Sequence, residues 1–499
     1  MFATPSAASS ARILISFTAV LIGGCVAVST SCGGGSSLIT PPKVSGNTSV
    51  TVMLSSSAND QLTQFDVQFQ TLTLTSQSGK TVNLLPSQQP SEFMHLNGGI
   101  EPLVTVTVPQ DTYTSASLTL AGARFVCVSQ APSGGLGITN YSIVNQGPTL
   151  NLASPITIAG NRMGLLLDML VSNSAAFPTC FNTPPFAGFS MTPTFNLSPL
   201  TLPSSPTNSG NGKISGMKAM LASLGSTNSD LTLTLAAGPF GTRTLAANSN
   251  SATIFQGISG ASALSPGMFA NVDGEIQSDG SLLATRIEVE NPTALNLSTG
   301  PLLMVANQVP VLSLYGRTEL GPLITAPYGG PGLYFDTPYF DFSHATFRVS
   351  GQFTNLQNLP FVPSFDASNM VAGQNVDITS PAFSLTGGTY TPADTITLIP
   401  QTINGIVQSS STSGSFTVYT VSLANYALFP TLAVQQGQTT VLPQPNEVQV
   451  YVDGNTQNLN AQPLSPGSTL RFYGLVFNDK GTLRMDCAQV SDGVTGSFL

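Results

Sequence analysis

Ionic side chains are what this 499-residue sequence has least of: Asp, Glu, Lys and Arg make up 7% of it, against about 25% in an ordinary soluble domain. The outward surface must therefore be built mainly from Ser, Thr, Asn and Gln, and few groups on it can respond to pH or salt. The 14 basic residues are scattered singly from Arg12 to Arg484. No basic stripe is present for a phosphate backbone, and nucleic-acid binding is not expected. Tryptophan is absent, which weakens a carbohydrate-binding reading. Only two histidines occur, His95 and His344, and the 23 acidic residues are dispersed, so acid–base chemistry has little to work with. There is no calcium-loop pattern, nucleophile elbow, phosphate loop, dinucleotide fingerprint or Cys/His zinc spacing, and GNGKISG at 210–216 breaks both glycine patterns. No cofactor and no metal are implied.

What is present reads as strands and turns. Apolar residues make up 41%, beside 47 Gly and 36 Pro, and β-branched residues are frequent. Helical periodicity is hard to find beyond the N-terminus. There, MFATPSAASSAR-ILISFTAVLIGGC has the parts of a secretory signal over 1–24, with a basic Arg12, an apolar run Ile13–Ile22 and small residues before a cysteine. Ile22-Gly23-Gly24-Cys25 resembles the bacterial lipobox, which would make Cys25 a lipidated first residue. Ser29-Thr30-Ser31-Cys32 offers Cys32 as the alternative. Residues 25–47 then form a flexible tether, and the expected location is the bacterial cell envelope, with membrane contact through the lipid.

Export permits disulfides. Cys127 and Cys180 fall in one expected domain and are the first choice for a bridge, which would contribute about 4 kcal/mol by loop entropy. The rival pairings use Cys487, or leave all three thiols reduced. Cys487 alternates with Leu483 and Met485 and reads as a buried apolar position.

Residues 48–202 hold many short runs bounded by Ser, Gly, Asn or Pro, and predict an antiparallel β-sandwich. In FDVQFQTLTLT the apolar residues alternate and change face once. A linker follows at 203–212. LSPG then occurs twice, at Leu264–Gly267 and Leu464–Gly467, with type II turn chemistry. Downstream of each glycine, Ala270, Val272, Gly274 and Ile276 match Leu470, Phe472, Gly474 and Val476, so the same parity faces inward. Both copies continue into polar hairpins, Ser278-Asp279-Gly280 and Asn478-Asp479-Lys480-Gly481. A fainter third copy is Ala372-Gly373-Gln374-Asn375 before Val376 and Ile378, with Ser380 where the others have glycine. The fold expected is all-β, a sandwich followed by three small barrel- or sandwich-like modules at 213–300, 301–401 and 402–499.

These residues carry two resemblances. FDVQFQTLTL, MHLNGG, VPQDTYTSASLTL and GLLLDMLV before FNLSPLTL resemble an N-terminal domain of unknown function found in many bacterial lipoproteins. The later modules resemble a second uncharacterised family, small β-barrel-like repeats of exported bacterial proteins in which an L-x-x-G turn and a D-G hairpin recur. Neither family supplies catalytic or ligand-binding residues to carry over.

The densest chemistry lies in the aromatic segment 328–344, expected to be an insertion in the middle module. Tyr328, Tyr334 and Tyr339 would be stacking platforms, with Asp336, Asp341 and His344 beside them as a ligand patch, and a hydrolase would use His344 as base. Packing is the plainer reading of the same residues. Glu92, His95 and Glu101 read as surface. The sequence thus points to a non-enzymatic envelope lipoprotein with a protein or glycan partner, the glycan-binding adhesin and the hydrolase being the alternatives.

Overall fold

The computed structural model describes residues 45–492 apart from 57–63, 94–95, 97–99, 131–135, 145–146, 153, 171–188, 191, 201–212, 228, 237–241, 292–295, 307–308, 317, 321–337, 351–355, 382–389, 425–426, 434–441 and 460–462. Val44–Leu499 form one unit of contacting elements, and they are almost entirely strand.

The first domain contains β1 (Asn47–Ser56), β2 (Gln64–Ser76), β3 (Thr81–Asn83), β4 (Gln89–Glu92), β5 (Ile100–Pro109), β6 (Asp111–Gln130), β7 (Leu136–Val144), β8 (Thr149–Leu152), β9 (Ile156–Ile158), β10 (Arg162–Met169), β11 (Phe189–Ser190) and β12 (Thr194–Pro199). They make two sheets, β5-β1-β10-β12-β8 and β11-β7-β6-β2-β3. Inward residues of both, such as Val52, Leu167 and Phe195 against Phe69, Leu72 and Tyr113, share one core. Phe65, Phe69, Phe93 and Phe195 meet at tilted or edge angles, 5.7–6.3 Å between centroids, as aromatic quadrupoles favour. The change of face in β2 is a bulge: register with β6 shifts between Phe69 and Thr71, so Val67 and Phe69, then Leu72 and Leu74, all point inward. Within the first sheet β1–β10 and β12–β8 run parallel. Short connections do not forbid this, because the chain between β1 and β10 passes through the facing sheet and needs no crossover helix.

Three modules of common wiring follow. The first module uses β13 (Lys213–Leu224), β14 (Asp230–Ala236), β15 (Thr242–Asn248), β16 (Ile254–Gln256), β17 (Phe269–Ile276) and β18 (Leu282–Asn291). The middle module uses β19 (Asn296–Val305), β20 (Val311–Leu314), β21 (Thr318–Leu320), β22 (Tyr339–Asp341), β23 (Thr346–Val349), β24 (Asn375–Ser380), β25 (Thr391–Pro392) and β26 (Thr395–Leu398). The last uses β27 (Gln401–Ser413), β28 (Phe416–Leu423), β29 (Glu447–Val452), β30 (Gln457–Leu459), β31 (Thr469–Asp479) and β32 (Thr482–Asp492).

In each module the long first strand pairs antiparallel with two others, β13 with β14 and β17, β19 with β20 and β24, and β27 with β28 and β31. Parallel pairing of the third strand with the last closes the ring in the first and last modules, β15 with β18 and β29 with β32, and in the middle module β22 pairs parallel with β25. In the middle module that last strand is bent, β25 and β26 being separated by Ala393-Asp394. The closed order is that of a five-stranded Greek-key barrel of the OB type. A short extra strand pairs parallel with the last strand in every case, β16 with β18, β23 with β26, and β30 with β32.

The repeated turn is what ties the barrels together. Gly267, Gly373 and Gly467 have φ of 89°, 98° and 90°, a region open to glycine. Each turn closes with an i to i+3 hydrogen bond, Met268 N to Ser265 O, Gln374 N to Val371 O and Ser468 N to Ser465 O. Each glycine amide also donates to the first strand of its own module, to Leu221, Leu302 and Val407 carbonyls, all at 2.8 Å. Those same three residues are where the first strand bulges. The faint third copy therefore has the full device. Its Ser380 is explained too: a Cβ on Gly274 or Gly474 would come within 2.6 Å of Leu283 O or 2.0 Å of Asp486 O, whereas β24 ends at Ser380 and makes no such crossing. One boundary moves. Asn296 opens β19, so the division expected between 300 and 301 falls inside a strand.

Candidate functional site

Of the aromatic patch, Tyr328, Tyr334 and Asp336 lie outside the described residues. Tyr339 and Asp341 sit on β22 and project from one side of it, while Phe340 between them is buried in the middle barrel. Asp341 Oδ1 accepts the Ser343 amide at 2.9 Å. That bond, the Ser343 hydroxyl and the nearby His344 charge hold the carboxyl below its usual range, and His344 is exposed in the turn beside it. The sequence reading missed Tyr390, just before β25. Because β25 pairs with β22, Tyr390 comes to Tyr339 with 6.4 Å between ring centroids and 57° between planes. The two rings are 52% and 44% exposed. Strand adjacency, invisible in one sequence, creates this pair.

Cys25, Cys32 and Cys180 also lie outside the described residues, as do His95 and the side chain of Cys127. Cys487 is free and buried in the last barrel, where burial pushes its thiol pKa up and makes it inert. Among the described residues no three His, Cys, Asp or Glu side chains gather closely enough to hold a metal ion.

Three of the ion pairs stand at the joints between domains. Glu92 and Glu101 are buried, correcting the expectation that they lie at the surface. Glu92 Oε1 accepts the Phe65 amide at 2.9 Å inside the sandwich. Glu101 accepts Arg243 Nη1 of the first module at 2.5 Å, and Arg243 Nη2 donates to Pro90 O and Ser91 Oγ. The hairpin tip of the same module docks nearby. The Gly164 amide donates to Ser278 O at 2.6 Å, Arg162 lies 3.5 Å from Asp279, and Gly280, with φ 80°, presses on Thr51 so closely that a Cβ would sit 2.6 Å from Thr51 Cβ. Burial alone would raise the Asp279 carboxyl, but hydrogen bonds from Ser281 and the Arg162 charge hold it low.

The last module uses its own outer face in the same way. Burial raises the Asp168 carboxyl of the sandwich, and the Ser55 hydroxyl that it accepts at 2.5 Å and the Arg471 charge oppose this only in part. Tyr473 is half-buried near Asp273 of the first module, and burial, with the Asp273 charge, raises its phenol. Against the middle module the last one relies on amides and rings. Gln374 Nε2 donates to Val476 O at 2.9 Å and Asn478 Nδ2 to Asn369 O at 3.1 Å, while the Arg484 guanidinium lies 5.3 Å from the centre of the Phe361 ring, within cation–π range.

Comparison with known proteins adds a family match for one part of the chain. Residues 234–288, from β14 to β18, match the family described as a domain of unknown function (DUF5666). No curated protein matches the chain. Among solved structures, a deletion mutant of the single-stranded DNA binding protein from Thermus aquaticus is 13% identical over 40% of this chain and 95% of that one, with a TM-score of 0.14.

Proposed function

We propose that this chain is a non-enzymatic lipoprotein of the bacterial cell envelope, anchored through Cys25 or, alternatively, Cys32, whose four β domains act together as a structural or binding module. The observation that carries this reading is where the scarce charges go. Arg243, Glu101, Lys218, Asp377, Arg162 and Asp279 pair across domain joints. These groups serve to fasten domains to one another, and removing charge from water is costly enough that placement matters. The outer surface left to a partner is one of hydroxyls and amides.

Metabolic labelling with a clickable fatty acid tests the anchor: wild type takes up label and Cys25→Ala does not. Label that survives Cys25→Ala and disappears with Cys32→Ala moves the anchor to Cys32; label lost in neither variant removes the lipoprotein reading. A pull-down from intact envelopes with the labelled protein then identifies the partner.

A second reading, a glycan-binding adhesin, is favoured by the exposed Tyr339 and Tyr390 rings with ionised Asp341 beside them. Sugar rings stack on such aromatic faces while a carboxylate takes their hydroxyls. Tyr339→Ala with Tyr390→Ala should abolish retention on a glycan array; wild-type protein that is retained by no glycan ends this reading.

A further inference from the structure

The contact between the first and middle modules sets a half-buried amine against a buried carboxyl. Lys218 lies on β13, two residues from Met220, which packs with Phe269 and with Leu297 of β19. Asp377 lies on β24 directly opposite Thr299 of β19. Lys218 Nζ meets Asp377 Oδ2, with the Lys218 side chain 13% exposed and that of Asp377 not exposed at all. Thr299 Oγ1 donates to Asp377 Oδ1 at 2.6 Å. Asn271, the register partner of Lys218 on β17, is likewise enclosed.

In water such a pair is an ammonium and a carboxylate. Away from water both charges lose solvation, which works against the attraction between them and lowers the cost of the neutral forms. Transfer of one proton from Nζ to Oδ2 then leaves an amine facing a carboxylic acid. The β framework on both sides holds them together, and well-oriented groups of this kind react as if at about 10⁵ M or more.

We propose that Lys218 and Asp377 condense into an amide that covalently links the first module to the middle one. Nζ attacks Cγ, and the Thr299 hydroxyl, bonded to Oδ1, stabilises the negative charge that develops on that oxygen. The Nζ–Cγ bond forms and the Cγ–Oδ2 bond breaks. Oδ2 leaves as water, carrying its own proton and one from Nζ. Nothing is oxidised or reduced and no co-reactant is needed. The product is neutral, so the joint loses both desolvated charges.

Digestion of the denatured, full exported chain followed by mass spectrometry tests this directly. The expected product is a branched peptide joining the segment that carries Lys218 to the one that carries Asp377, lighter than their sum by one water molecule. Lys218→Arg keeps a cation opposite Asp377 but has no amine able to condense. It should lose the branched peptide while keeping the wild-type circular dichroism. Recovery of both segments from wild type as separate linear peptides overturns the proposal, as does a branched peptide that persists in Lys218→Arg.

Discussion

The hairpins at Ser278–Gly280 and Asn478–Gly481 occupy the same place in the first and last modules, and each reaches the domain that precedes its own. Their chemistry differs. The first docks on the sandwich through a backbone hydrogen bond, an ion pair and a glycine pressed on Thr51. The second docks on the middle module through the Asn478 amide, while Leu475 and Phe477 of its rising strand enter that module's core. One wiring thus serves two kinds of joint, one built on charge and close backbone approach, the other on apolar side chains and amides. The loop sequence selects the neighbour, and the barrel behind it hardly changes.

The comparison is broken most severely at Arg243. Arg243→Ala removes the guanidinium that Glu101 accepts from in a buried site, and the first unfolding transition in urea should lose about 3–5 kcal/mol. Nothing of that size is expected at the amide joint, where Asn478→Ala should cost about 1 kcal/mol.

The next effect has the opposite sign and separates the last barrel from the first. Asp486 stands opposite Leu475, where the first barrel has Leu283 opposite Glu275. Burial, helped by the Asp453 charge, pushes its carboxyl up to about 6, whereas the unfolded chain titrates near 3.8. The folded state therefore holds the proton longer. Its contribution is fully present below about pH 4 and is lost as pH rises through about 6. Asp486→Asn should flatten that slope and stabilise the last module at neutral pH, by up to about 3 kcal/mol. Unfolding curves at several pH values check this, and a slope unchanged in the variant contradicts it.

Gly280→Ala sharpens the contrast between the hairpins. A positive φ with a side chain costs about 1–2 kcal/mol, and the Cβ also strikes Thr51, so a loss of about 2 kcal/mol confined to the sandwich and first module is expected. The smallest effect belongs to Arg162→Gln, because the pair with Asp279 is about half exposed on the Arg162 side and about a third on the Asp279 side; less than about 1 kcal/mol should be lost.

Local pattern made part of this architecture legible. The glycine turns, the inward parity after them and the face change in β2 were all readable, since each is a few residues of backbone chemistry. Other features depend on partners far along the chain. The module division is expected between Gly300 and Pro301, yet both residues lie inside β19, opposite Val376 and Asn375. Glu92 and Glu101 read as surface because what buries them is a fold-level contact, and Tyr390 meets Tyr339 only because β25 returns beside β22. The carboxylates at the joints were the least visible, since one sequence does not announce which domain will lie over which residue.

The glycine turn has a broader implication. Its amide docks on the first strand of its own module, so a copy brings its own turn and the strand that receives it. Tandem duplication can then lengthen such a protein without inventing anything new inside the barrel. Selection is left to tailor hairpin tips and outer faces, which makes the seams between copies, more than their interiors, the place where descendants of one ancestral unit should diverge.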